Sequence, residues 1–302
     1  MARLRVLHET RFTYPRPVAD NRNQVRLTPV DDDAQTRVTH RLLIEPEAHV
    51  SPYRDRYGNT AHLVHIGPRH SSLLIRAESV VEVQDATPMR FTGPPTFADL
   101  ANADLEPVSE FLDPSFFCSV TPELRDFLRD LASSPDMPLV EFLDRLNARI
   151  ATGLEYRPGE TTVHTRAADV ILERRGVCQD FAHIMITASR AVGIPARYVS
   201  GYLLGEGFSH AWMEAWVPGH GWTGFDPTHH CRPNGGGYVR AAVGRDFGDV
   251  SPVVGTYWER EPGGGGGTER VAGQPGTMTV RVSVARAETE EEASHVATQR
   301  VV

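Results

Sequence analysis

At 302 residues, with 40% hydrophobic and 23% charged residues, the chain is long enough for two domains and has the composition of an ordinary soluble globular protein. A net charge of −8, with no basic run and no interleaving of aromatic and basic residues, argues against a nucleic acid as partner. Three cysteines far apart in the chain make no disulfide framework and point to a reducing compartment. The first eighteen residues, MARLRVLHETRFTYPRPV, lack the apolar stretch of a signal peptide, and no run is long enough to span a bilayer. A cytoplasmic protein with no membrane contact is the expectation.

Residues 1–92 read as a β-rich region of short strands. Residues 3–14 alternate in part, with Leu4, Val6, Phe12 and Tyr14 as apolar members, and 23–29, 37–44, 62–66 and 73–83 follow. Gly58-Asn59, Gly67-Pro68 and several prolines punctuate them, and the pattern predicts an antiparallel β-sandwich. Its histidines, His8, His40, His49, His62, His65 and His70, match no metal-ligand spacing and read as strand or surface residues.

Residues 93–160 read as a helical segment covering one side of the core. Helical patterns occupy 108–112, 122–132 and 138–151, and in the last Leu139, Phe142, Leu143, Leu146 and Ile150 share a face. Pro122 and Pro138 suit first-turn positions, and Thr121 is a candidate N-cap. A polar loop at 155–165 leads to a short helix around 167–174.

The chemistry lies in residues 161–285. From Cys178 the apolar positions Phe181, Ile184, Met185, Ala188 and Val192 recur at intervals of three and four, a buried stripe on which Cys178 itself lies. Gly193 and Pro195 end this helix; Gly176 makes the turn into it and Asp180 places an acid in its first turn. Cys178 therefore opens a helix, where unpaired N–H groups and the positive dipole end favour a thiolate. Residues 196–204 read as a strand, and 210–217 alternate between Ala211, Met213, Ala215, Val217 and His210, Trp212, Glu214, Trp216. After a turn at 218–221, Trp222 and Asp226 fall on one strand face. A helix laid across this hairpin can bring Cys178, His210 and Asp226 together as nucleophile, base and orienting carboxylate. His183, roughly 140° around the helix from Cys178, reads as a structural residue.

Beyond the hairpin, residues 244–257 look like a loop, and the five glycines at 263–267 like a flexible tether. Met278, Val280, Val282 and Val284 alternate as a late strand. Residues 286–302, with Glu288, Glu290, Glu291 and Glu292, read as a disordered acidic tail.

The blocks GVCQDFAH, GIPARYVSGY, SHAWMEAW and GWTGFDPT resemble, in order, the core of the transglutaminase-like superfamily, and in particular its bacterial members with a β-rich N-terminal region. The resemblance runs from about Leu4 to about Ala285. It implies an α+β chain, an N-terminal antiparallel β-sandwich followed by a papain-like, transglutaminase-like core in which the cysteine helix packs on an antiparallel sheet. It also implies that Cys178 is the nucleophile, His210 the general base and acid, and Asp226 the third member. The reaction is then acyl transfer at amide bonds through a thioester. Water resolves it in a peptidase or amidase and an amine in a crosslinking transglutaminase; many bacterial members look like peptidases, so hydrolysis of a peptide or protein is expected. The Cys178 backbone N–H is a natural oxyanion donor. Gln179, Trp212, Tyr156, Trp222 and the backbone of loop 155–165 are candidates for the second donor and for substrate contacts. One departure is Thr228-His229-His230-Cys231, where asparagine is expected after the threonine, and it bears on the contacts around Asp226.

No cofactor is implied, and no DxDxDG pattern points to calcium. A zinc site of Cys178, Cys231, His210 and one of His229 or His230 has the right ligand types but no CxxC or HExxH spacing, so no metal is expected. A degenerate core kept as an interaction module is the remaining alternative.

Overall fold

The computed structural model describes residues 1–84, 93–131, 134–233, 235–260, 267–271, 277–287 and 297–301. Its first layer is organised by one strand, β1 (Ala2–Val25), in which every second residue from Leu4 to Tyr14 is buried. Next come β2 (Gln35–Glu45), β3 (His49–Arg54), β4 (Thr60–Ile66) and β5 (His70–Val83). The first half of β1 pairs antiparallel with β5, the second half with β4; β2 lies on β5 and β3 on β4. Phe12, Tyr14, Val25, Val64, Leu73 and Ile75 form the core between the two leaves.

The second layer begins with α1 (Phe97–Ala101), a 3-10 turn at Glu106–Phe111, α2 (Pro122–Leu128) and α3 (Leu139–Gly153). The short strands β6 (Glu155–Tyr156) and β7 (Arg175–Gly176) pair in parallel on either side of α4 (Ala167–Glu173). Then follow α5 (Cys178–Ala191), β8 (Ala196–Leu203), β9 (Ser209–Val217), β10 (Gly221–Phe225), β11 (Tyr238–Gly244) and α6 (Phe247–Val250), the four strands ordered β10-β9-β8-β11. The stripe read on α5 is buried: Phe181, Ile184, Met185 and Ala188 pack with Leu139, Leu143, Leu146 and Ile150 of α3 and with Ala211, Met213 and Ala215 of β9. Each large apolar side chain so enclosed stabilises the fold by about 1.5–3 kcal/mol.

The chain then returns to the first layer. β12 (Val253–Arg260) pairs with the second half of β1, β13 (Gly267–Val271) with β12, β14 (Thr277–Arg286) with the first half of β1, and β15 (Ala297–Val301) with β14. The sandwich is thus closed by C-terminal strands and is not built from residues 1–92 alone. The stretch read as a loop at 244–257 holds α6 and the first part of β12, whose order comes from pairing with a strand some 230 positions earlier and not from alternation. The late strand around 278–284 is present as β14, with Val282 and Val284 buried. Of the acidic tail expected at 286–302, the last part is strand β15: residues 297–301 carry no acid and pair along the outer edge of β14. Residues 288–296, with their four glutamates, and residues 263–266 of the glycine run lie outside the described residues.

The layers meet where Tyr202, Val239 and Ala241 pack on Leu4, Val6, Val81 and Val284. Asn59 fixes the junction with two bonds to Val243, its side chain donating to the carbonyl and accepting from the N–H, each at 2.8 Å. Two buried histidines make this fold acid-sensitive. Burial holds His8 down at about 4 and His183 at about 3, the latter helped by the nearby Arg190 charge. Below about pH 6.5 the unfolded chain takes up protons that these native imidazoles refuse. Stability present above that pH should fall by about 1.4 kcal/mol per pH unit per group until the folded values are reached. The thermal midpoint is therefore expected to drop between pH 7 and pH 5, and His8→Gln, which cannot protonate, should shallow the slope; a midpoint flat across that range contradicts this account.

Candidate active site

The helix that carries Cys178 is set from below by β7. Tyr156 lies opposite Gly176, and the Arg157 N–H donates to the Gly176 carbonyl at 2.9 Å, so loop 155–165 is sewn to the helix start. Gly176 is required there: a Cβ would lie 2.9 Å from both the Asp180 side chain and Val170. Asp180 accepts from the Val177 N–H at 2.9 Å and from the Thr161 hydroxyl at 2.7 Å, tying the same loop to the first turn. Cys178 is the first residue of α5 and half-buried.

The β9–β10 hairpin supplies the rest. Phe225 is opposite Met213, so Asp226, one residue beyond β10, comes level with the start of β9 where His210 sits. His210 Nε2 lies 2.7 Å from Asp226 Oδ2, and the imidazole also hydrogen-bonds the Cys178 side chain. With Nε2 held by the carboxylate, Nδ1 is the nitrogen left for the sulfur, and it also lies 3.5 Å from Glu206 Oε2. Burial alone would lower the His210 pKa, but hydrogen bonds to Asp226 and Cys178 and the charges of both raise it to about 10. An imidazolium beside the sulfur is the charge complement of a thiolate.

Asp226 is completely buried and saturated with donors. Oδ2 accepts from His210, from His229 Nδ1 at 2.8 Å and from the Tyr238 hydroxyl at 2.8 Å, while Oδ1 accepts from the N–H groups of Thr228 at 2.8 Å and His229 at 3.3 Å. Burial pushes its pKa up, but these donors outweigh it and hold the carboxyl well below the ordinary range. The segment after Asp226 can wrap it this way because Cys231 bonds back to the Asp226 backbone in both directions, closing a tight loop.

Of the other residues singled out in the sequence, Tyr156 stands at the mouth, half-exposed and edge-on to Phe181; burial and the charges of Cys178, Glu206, Asp180 and Asp226 push its phenol up. Gln179, next to the thiol, donates to the Val163 carbonyl over a long 3.4 Å. Trp212 is buried behind His210, its ring stacked on the imidazole at 6.0 Å, and a Cβ at Gly201 would meet that ring at 2.7 Å. Trp222 does not join the group. It lies at the far end of β10, about 13 Å along the strand from Asp226, between the Arg197 guanidinium and Phe111. His183 is buried and structural, accepting the Phe247 N–H at 3.2 Å.

Three residues around the site went unanticipated in these places: Tyr238, Glu206 and, as a partner of Asp226, His229. The one available signal was the departure at 228–231, which is where His229 enters. The four-ligand zinc grouping is not what assembles: Cys231 lies against the Tyr238 hydroxyl at 3.2 Å, and among the described residues the side chains whose potential ligand atoms cluster are Glu206, His210 and His229.

Residues 125–227 match the profile described as transglutaminase-like superfamily, and residues 4–82 the bacterial transglutaminase-like N-terminal region. An uncharacterized protein of Mycobacterium tuberculosis is 36% identical over 276 residues, covering 85% of this chain and 88% of the relative. A protein-glutamine gamma-glutamyltransferase of Pseudomonas aeruginosa is 32% identical over 122 residues, 36% of this chain and 18% of that one. A crystal structure from Cytophaga hutchinsonii, of a protein provisionally assigned as a cysteine protease, superposes with a TM-score of 0.73 at 21% identity and covers 99% of this chain and 98% of its own, a likeness of fold.

Proposed function

This chain belongs to the transglutaminase-like superfamily, and we propose that within that family's thiol-dependent chemistry it hydrolyses amide bonds of a peptide or protein through Cys178, His210 and Asp226. The observation that carries the reading is the single imidazole held between Asp226 Oδ2 at 2.7 Å and the Cys178 side chain. In the proposed reaction the Cys178 sulfur attacks the amide carbonyl, and His210 gives its Nδ1 proton to the departing amine. The resulting thioester is opened by a water that His210 deprotonates. Asp226 keeps the imidazole in the tautomer that leaves Nδ1 for this work, and Trp212 fixes the plane of the ring. The Cys178 N–H at the helix start, joined by the loosely held Gln179 amide, would receive the oxyanion, with Tyr156 lining the approach. A reducing compartment such as the cytoplasm goes with this reading, since all three cysteines are free thiols.

The second reading is transfer to an amine, favoured by the relative named a protein-glutamine gamma-glutamyltransferase. One experiment separates them: mass spectrometry of a glutamine-containing peptide library incubated with and without a primary amine. Cleaved or deamidated products whose yield ignores the amine are expected. Amine adducts that replace hydrolysis would make the enzyme a transferase, and no Cys178-dependent product at all would favour an interaction module.

A further inference from the structure

Asp226 holds two imidazoles, and only one of them is needed to serve the thiol. His210 gives Nε2 and His229 gives Nδ1 to the same Oδ2, at 2.7 and 2.8 Å. The opposite nitrogens, Nδ1 of His210 and Nε2 of His229, both face Glu206, which sits in the connection between β8 and β9. Glu206 Oε2 is 3.5 Å from His210 Nδ1, and Oε1 is 3.1 Å from His229 Nε2. One ligand atom from each of the three residues lies within 4.8 Å of the others. The imidazoles are 5.0 Å apart, centroid to centroid, and inclined at 63°. A carboxylate behind each imidazole, fixing the tautomer and turning the free nitrogen forward, is the outer arrangement that metal-bound histidines use. Here one buried carboxylate does so for both.

We propose that Glu206, His210 and His229 form a site for a zinc-class divalent cation, and that the cation shuts the active site by occupying His210 Nδ1 and drawing in the Cys178 sulfur. Two nitrogens and one carboxylate suit zinc and its neighbours and not magnesium or calcium, which want oxygen. Cys178, a hydrogen-bond partner of His210 that lies outside this cluster, would move in to add a sulfur as fourth ligand and complete the tetrahedral set that zinc prefers. On binding, the cation displaces the Nδ1 proton of His210 to solvent, and it is an inhibitor and not a cofactor because it takes the nitrogen that must carry that proton. Binding rests on these side chains alone; the shut-off rests on the thiol chemistry proposed above.

The test uses the full chain without a histidine tag, stripped with chelator. Calorimetric titration with zinc sulfate should show one saturable site per chain. Glu206→Gln, on a partly exposed turn, should weaken it at least about tenfold, the scale that even outer partners of a metal command. Zinc should also slow alkylation of Cys178 by iodoacetamide in the wild type and lose that protection in Glu206→Gln. No saturable site, or equal affinity in Glu206→Gln, overturns the proposal. A Glu206-dependent site that leaves alkylation unchanged overturns the shut-off. Zinc binding in a protein that cleaves no amide would sink the proposed activity and leave the metal site standing.

Discussion

Given a limiting dose of iodoacetamide at neutral pH, the chain should be labelled at Cys178 before either other cysteine, and Cys178→Ala should lower amide turnover by at least about 10³-fold, since removing a nucleophile leaves only binding and oxyanion stabilisation. The three thiols sit in different surroundings. Cys118 is buried, its sulfur 3.7 Å from the His183 carbonyl, and burial pushes it up to about 11, so it is both inaccessible and protonated. Burial also raises Cys231, whose sulfur is engaged with the Tyr238 hydroxyl. Cys178 alone combines a half-exposed position, a helix start and an imidazole raised to about 10 beside it. Peptide mapping after labelling reads the order directly. Cys118 or Cys231 reacting first would remove the ground for treating Cys178 as the nucleophile, and a Cys178→Ala protein with undiminished turnover would remove the mechanism.

What the sequence made legible, and what it hid, follows from where each residue lies in its element. Cys178 and His210 open periodic segments and Asp226 ends one, so spacing alone could mark them; the helix stripe from Phe181 to Ala188 is visible because one wall of the core is that helix. Strand β11, YVRAAVG, is buried nearly throughout and shows no alternation, and β3 carries Pro52, so neither has the local signature of a strand. β12 exists because a distant partner offers an edge, which no local window reports, and β15 because the preceding strand β14 offers one. Trp222 shares a strand face with Asp226, but sharing a face says nothing of distance along the strand. Glu206, His229 and Tyr238 come from a turn, a tight loop and the first residue of an unrecognised strand, and they meet only because the β9–β10 hairpin and β11 converge at one end of the sheet. The family resemblance named the nucleophile and its two partners; the second histidine on the carboxylate comes from the segment 228–231, where the sequence departs from the expected asparagine.

Asp226→Asn should remove most of the turnover, about 10²–10⁴-fold, while Asp180→Asn should cost mainly stability. The asymmetry lies in the donors. Asp226 receives three donors on Oδ2 and two backbone N–H groups on Oδ1, and an asparagine has one oxygen for the two positions. If the amide nitrogen takes the Oδ2 place it confronts His210 Nε2–H, and the imidazole must move its proton to Nδ1, which leaves no base facing Cys178. If it takes the Oδ1 place it confronts the N–H groups of Thr228 and His229. Either way the charge that helps keep His210 protonated is gone, so alkylation of Cys178 at neutral pH should slow together with turnover. Asp180, two residues from the thiol, lies about 200° around the helix from it. Its carboxylate is spent on the Val177 N–H and Thr161, not on the imidazole. Both bonds go to one oxygen, Oδ2, so Asp180→Asn can keep both acceptances and should lose about 1 kcal/mol because the cap is then uncharged and weaker. Turnover, alkylation rate and thermal midpoint measured on both variants separate the roles. If Asp180→Asn lost the activity and Asp226→Asn stayed near wild type, the carboxylate that orients His210 would be wrongly assigned, because a buried group receiving five donors would then have no part in the state of the imidazole it touches.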